Sequence, residues 1–100
     1  MPEIGSTLDI TTTSRGWLLV GELDAHTAGQ LAEVLVELPE RSVEVDVGGV
    51  TFMDSSGLRV LVDAAERTRE RGRGLIVANA PPSVRRLVEI SGLQSHLDLG

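Results

Sequence analysis

Thr51-Phe52-Met53-Asp54-Ser55-Ser56-Gly57-Leu58 is the stretch at which a strand gives way to a helix. Two apolar residues, Phe52 and Met53, end an extended segment. An Asp and two hydroxyls follow, and a helix-patterned run begins. Ser55 and Ser56 therefore stand at a helix N-terminus, where unpaired backbone N–H groups and the positive end of the helix dipole favour negative charge. A phosphoryl group added there is expected to find N–H donors ready for it. The stretch reads as a switch rather than a catalytic centre.

Downstream, Leu58, Leu61, Val62 and Ala65 form one apolar stripe of a helix spanning about Ser56 to Arg71, with Gly72 as its C-terminal cap. Upstream, Ser42-Val43-Glu44-Val45-Asp46-Val47 alternates as a strand, Gly48-Gly49 breaks it, and Val50 to Met53 resumes it. Asp46 reads as a strand-end residue. Leu8-Asp9-Ile10-Thr11-Thr12 and Trp17-Leu18-Leu19-Val20-Gly21-Glu22 flank a turn at Ser14-Arg15-Gly16 and read as a hairpin. A helix over about Thr27 to Leu38 follows, with Leu31, Val34, Leu35 and Leu38 inward and Pro39 as its stop. Gly74-Leu75-Ile76-Val77-Ala78 reads as a central parallel strand. Pro81-Pro82-Ser83 opens a third helix with Val84, Leu87 and Val88 inward, closed by Gly92, and Leu97-Asp98-Leu99 adds a candidate edge strand. The order β-β-α-β-α-β-α-(β) predicts an α/β fold with a mixed, mostly parallel sheet.

In such sheets the strand-to-helix loops gather at one edge, where ligands and partners usually meet them. Three loops are expected there: Glu22 to Thr27, Asp54 to Leu58, and Asn79 to Ser83. They would collect Glu22, Asp24, His26, Asp54, Ser55 and Ser56 on one rim. Asp54, Glu22 and Asp24 can each serve as helix caps or as partner contacts, and the pattern alone leaves both roles open.

The chain has 100 residues and a formal net charge of −6, with no cysteine. One domain is expected, and disulfides and thiolate metal sites are excluded. Nucleic-acid binding is not expected from an acidic chain whose aromatic residues are Trp17 and Phe52. Arg67, Arg69, Arg71 and Arg73 interleave with Glu66 and Glu70 as a solvated helix face. His96 carries no signal. Met1-Pro2-Glu3-Ile4-Gly5 lacks the basic and apolar regions of a leader, and no apolar run reaches the ~18 residues of a membrane span. A soluble cytoplasmic protein with no metal, no cofactor and no membrane association is expected, as a monomer. A serine hydrolase built from Ser55 or Ser56, His26 and Asp24 would need a nucleophile elbow, and no Gly-x-Ser-x-Gly occurs. The chain is therefore expected not to be an enzyme.

With those residues in place, the chain resembles the STAS domain and, within it, the anti-sigma factor antagonists of bacterial partner switching. Gly21-Glu22-Leu23-Asp24, the run Val45 to Leu58, and Val88-Glu89-Ile90-Ser91-Gly92-Leu93 carry the resemblance, which spans about residues 7 to 99. It implies one STAS domain over 1–100, with four to five strands packed with three to four helices. It also implies a cycle. The unmodified antagonist binds an anti-sigma factor that is a serine kinase, freeing sigma. Phosphorylation of the serine after the Asp, here Ser55, releases it, and a PP2C-type phosphatase resets it. Ser56 is the alternative acceptor. Glu22, Asp24, Asp54, Ser55, Ser56, Gly57 and Leu58 are the implied partner-binding residues. A constitutive STAS scaffold in a stress-signalling or lipid-transport complex is the other function compatible with the resemblance.

Overall fold

The structure is a computed structural model that describes residues 5–100; Met1 to Ile4, read above for a leader, lie outside the described residues. Its elements are β1 (Leu8–Thr12), β2 (Gly16–Leu23), α1 (Ala28–Val34), β3 (Val43–Met53), α2 (Ser55–Glu70), β4 (Leu75–Ala78) and α3 (Pro82–Ile90), with a 3-10 turn at Gln94–His96. The four strands lie in the order β1-β2-β3-β4. β1 is antiparallel to β2, while β2–β3 and β3–β4 are parallel. The expected α/β fold and its mixed, mostly parallel sheet are found.

One face of this sheet carries the core. Leu8, Trp17, Leu19, Leu23, Val43, Val45, Val47, Val50, Met53, Leu75 and Val77 are buried in a single cluster. Onto them pack Leu31 and Leu35, Leu58 and Leu61 of α2, and Val84 and Val88 of α3. Residues of the other parity, such as Val20, Glu44 and Ile76, are exposed or half-buried. A strand buried on one face alternates, and this is why Glu44 and Asp46 can sit inside β3.

Five expectations are corrected. β3 does not break at Gly48-Gly49. Leu18 faces Asp46 and Val20 faces Gly49, then Gly21 faces Val50 and Glu22 faces Phe52, so β3 carries two extra residues relative to β2. Bulges absorb them. At Gly49 a Cβ would stand 3.0 Å from Val20 Cγ2 and 3.1 Å from the Leu19 carbonyl, so the close approach there favours glycine. Asp46 is accordingly mid-strand; its Oδ1 accepts from Gly48 N–H at 2.9 Å and its Oδ2 from Asn79 Nδ2 at 2.9 Å.

β4 is an edge strand, not a central one. The tail runs beside it, with Val77 N–H donating to the Asp98 carbonyl at 2.8 Å and a single parallel bridge between Ile76 and Asp98. The expected fifth strand is thus reduced to one bridge. Helix α1 ends at Val34, short of Leu38. Beyond it the carbonyls of Leu35 and Leu38 accept from Arg67 Nη1 of α2 at 3.0 Å and from Nη1 of Arg71, just past the end of α2, at 3.4 Å. Pro39 also pushes Leu38 out of helical geometry. Leu35 and Leu38 remain buried, so the apolar spacing was right although the helix stops early.

The start of α2 is held against the end of β2. Asp54 N–H donates to the Leu23 carbonyl at 3.1 Å. Gly57 is buried, and a Cβ on it would stand 2.7 Å from that same carbonyl and would overlap Leu23 Cγ. Gly57→Ala should therefore destabilise the fold by about 1–3 kcal/mol through overpacking. Urea unfolding measures it, and a midpoint equal to that of the unsubstituted chain would show that α2 can shift without cost.

Candidate functional site

Asp54 is the N-cap of α2, with extended backbone (φ −117°, ψ −175°). Its Oδ1 accepts from Ser56 N–H at 2.9 Å and Gly57 N–H at 3.2 Å. Its main-chain carbonyl takes Leu58 N–H at 3.0 Å. Its Oδ2 accepts from Ala25 N–H at 3.3 Å, which joins α2 to the β2–α1 loop. Two of the N–H groups expected to greet a phosphate at this helix end, those of Ser56 and Gly57, are therefore already taken by a carboxylate. That corrects the expectation of an open anion site.

The β2–α1 loop is a closed set of local bonds. Thr27 is buried, and its Oγ1 donates to the Glu22 carbonyl at 2.7 Å while accepting from Asp24 N–H at 3.1 Å. Asp24 Oδ1 accepts from the backbone N–H groups of His26 at 3.0 Å and Thr27 at 3.2 Å. The carboxylate thus engages the His26 backbone. A hydrogen bond from the Ser6 side chain holds the Asp24 carboxyl below its ordinary value; partial desolvation opposes this, and the Thr27 and His26 N–H groups and the Thr27 hydroxyl add to it.

Two of the three expected rim loops meet. The third does not. β4 ends where Ala78 pairs with Asp46, whereas β3 runs on to Met53. At about 3.3 Å per residue this leaves the Asn79 loop roughly 20 Å short of the rim. Asn79 instead bonds Asp46 in the middle of β3.

Of the predicted residues, Ser55 is exposed as the first residue of α2, and Ser56, Asp54, Asp24 and Glu22 are half-buried beside it. Gly57 is buried and Leu58 is 1% exposed, so these two position α2 from the core side. The two hydroxyls open into different grooves. Ser56 lines a groove of about 540 Å³ between α1 and α2, with Val36, Val60 and Arg59. Ser55 lines one of about 360 Å³ between α2 and the end of α3, with Val62, Ser91, Leu93 and Arg59. Val36, with 67% of its surface exposed, leaves an apolar wall uncovered beside the serines. The sequence reading missed Val36, Val60 and Arg59. Their signal was present in part: Arg59 lies one helical turn from Ser55, and Val36 falls off the inward spacing of α1.

Two predictions follow from this geometry. Asp54→Ala removes the cap and the Ala25 contact together and should cost about 1–2 kcal/mol. In a domain of this size each kcal/mol lowers Tm by about 4–8 °C, so calorimetry resolves it; Asp54→Asn, which keeps an oxygen acceptor, should lose less. Asp24 has a folded pKa below its unfolded one. Its contribution is therefore complete above about pH 4 and is lost as pH falls through the folded value. Urea midpoints from about pH 6 to about pH 3 should fall less steeply in Asp24→Asn than in the unsubstituted chain, and parallel profiles would contradict the assignment.

Comparison with known proteins gives this rim its context. The profile of the family described as "Mlab, STAS domain" matches residues 8–99. An anti-sigma-B factor antagonist of Bacillus subtilis (strain 168) is 32% identical over 83 residues, covering 81% of this chain and 76% of that protein. The fold superposes on the anti-sigma factor antagonist SpoIIAA in its unphosphorylated form with a TM-score of 0.68, at 21% identity over 91% of this chain and 85% of that one. It also superposes on the Bacillus cell fate determinant SpoIIAA in the phosphorylated form with a TM-score of 0.63, at 21% identity over 93% of this chain and 88% of that one. With the strand order, the Asp54–Ser55–Ser56 junction and these matches together, the chain belongs to the STAS domain family, among its anti-sigma factor antagonists.

Proposed function

We propose that this chain is a phosphorylation-controlled partner switch acting in the cytoplasm. Its unmodified form binds an anti-sigma factor serine kinase and frees sigma. The kinase then transfers phosphate from ATP to Ser55: the serine Oγ forms the new P–O bond, the bond to ADP breaks, and the hydroxyl proton passes to a base on the kinase. The modified chain leaves. A PP2C-type phosphatase restores it by hydrolysis to serine and inorganic phosphate.

The observation that carries this reading is the pairing of an exposed Ser55 with an Asp54 carboxylate that already holds the helix N–H groups. A phosphoserine adds about −1.5 to −2 charges at neutral pH. Here it would stand next to Asp54 and beside the rim that bears Asp24 and Glu22. It would enter a surface complementary to a neutral hydroxyl and an apolar groove. Repulsion and lost fit both act on the partner, and the fold of the antagonist need not change. A loss of about 3 kcal/mol weakens binding more than a hundredfold. The relatives' names, and the existence of a phosphorylated form of SpoIIAA, support the reading.

Ser55 is preferred to Ser56 because it is the exposed hydroxyl; Ser56 is half-buried and faces the other groove. After incubation with ATP and the anti-sigma kinases of the same genome, fragment mass spectrometry should place one phosphate on Ser55. Ser55→Ala should bind the kinase and stay bound in ATP. Ser55→Asp should bind at least tenfold more weakly, about 1.4 kcal/mol. Stable binding without phosphate transfer, with Ser55→Asp binding as tightly as the unsubstituted chain, would establish a constitutive scaffold instead.

A further inference from the structure

One stripe of α2 carries Ser55, Arg59, Asp63 and Arg67 at four-residue intervals. Side chains so spaced are surface neighbours, with Cβ atoms roughly 5–6 Å apart. The lower half of the stripe is closed. Arg67 Nε donates to Asp63 Oδ2 at 3.0 Å, and Arg67 Nη1 donates to the Leu35 carbonyl at 3.0 Å. The upper half is open. Among the described residues Arg59 has no carboxylate partner, and the carboxylate one turn below it already serves Arg67. Above Arg59 stands the Ser55 hydroxyl. The stripe therefore alternates plus, minus, plus from Arg59 downward, with a neutral group where the next minus would fall.

Arg59 is also common to both grooves that flank the serines, and it is the charged side chain lining the groove of Ser55. Among the described residues the helix backbone leaves one donor beside it, the N–H of Ser55 itself. Ser56 and Gly57 N–H groups are held by the Asp54 carboxylate and Leu58 N–H by the Asp54 carbonyl. The other charged or titratable groups near this helix end are Asp54 itself, Asp24 and His26 of the facing loop, Glu22 near the end of β2, and the paired Asp63 and Arg67.

We propose that Arg59 changes partner with the modification state of Ser55. In the unmodified chain it is a free cation at the partner-facing edge. In the phosphorylated chain it closes onto the phosphate and completes a ladder of phosphate, Arg59, Asp63 and Arg67. The proposal rests on Ser55 being the acceptor. Release of a partner then has two parts, the arrival of negative charge and the withdrawal of a positive one from the same surface. Both steps also favour α2. An anion at the first helical position suits the dipole, and an acid four residues before a base has the favourable orientation.

The test places phosphoserine at position 55 during translation, in the unsubstituted chain and in Arg59→Gln and Arg59→Lys. No kinase is needed, so failure here leaves the kinase reading intact, and failure to find a kinase leaves this measurement intact. Phosphorus NMR follows the second ionisation of the phosphoserine, which is ordinarily near pH 6. Pairing with Arg59 favours the dianion. The midpoint should therefore lie about 0.3 pH lower in the unsubstituted chain than in Arg59→Gln, with Arg59→Lys between them. Phosphorylation should also raise Tm more when Arg59 is present. Equal midpoints and equal Tm increments in the unsubstituted chain and Arg59→Gln would overturn the proposal.

Discussion

The Asp54 carboxylate is the interaction on which the site depends. It satisfies two of the orphan N–H groups that every helix start presents, and its second oxygen reaches across to Ala25. With it, the end of β3, the start of α2 and the β2–α1 loop become one rigid unit. Gly57 makes the arrangement possible by letting α2 approach the Leu23 carbonyl, which in turn accepts Asp54 N–H. Ser55 therefore stands at a fixed place with its hydroxyl exposed. A substrate serine on a mobile loop would have to be ordered on binding, at an entropic cost that this scaffold removes in advance.

The same carboxylate decides what a phosphate would experience. At an uncapped helix start, N–H groups would welcome an anion and the charge would be absorbed within the chain. Here a carboxylate holds that position. New charge at Ser55 would stand on the surface of α2, within reach of Arg59 and of whatever lies against the two grooves. A rigid site that displays its charge acts on binding directly, without a second conformation in the antagonist itself. The site sits on a sheet in which the β2–β3 pairing runs the whole length of β2.

Much of this was legible in the sequence because it is local. The strand-to-helix junction, the cap at Asp54 and the inward stripes of α2 and α3 depend on neighbours within a few residues. What escaped depends on residues far along the chain. That β3 continues through Gly48-Gly49 follows from its pairing with β2, where Val20 faces Gly49. Helix α1 stops at Val34, and the Leu35 carbonyl, which Pro39 could not reach with an N–H, accepts from distant Arg67 instead. The brevity of β4 kept Asn79 from the rim, and nothing in Leu75-Ile76-Val77-Ala78 says that β3 continues past it. The apolar look of that strand was misread as centrality, when a single buried face and the tail along its edge account for it.

The two halves of α2 show how one helix can serve both fold and switch. Its inner face, from Leu58 to Thr68, is buried and anchors it across β3 and β4. Its distal arginines, Arg67 and Arg71, hold the chain after α1 in place. Those arginines are committed, and substituting them would disturb the wall of the groove beside Ser56. Arg59 lies on the same helix, about two turns closer to the serines than Arg67, and among the described residues carries no such structural bond. Charge on this helix is thus divided by position: structural at the far end, where it closes the α1 turn, and free at the end where a partner would dock. A cation left uncommitted next to an acceptor serine can respond to phosphate without unfolding anything, because no buried contact has to break for it to move.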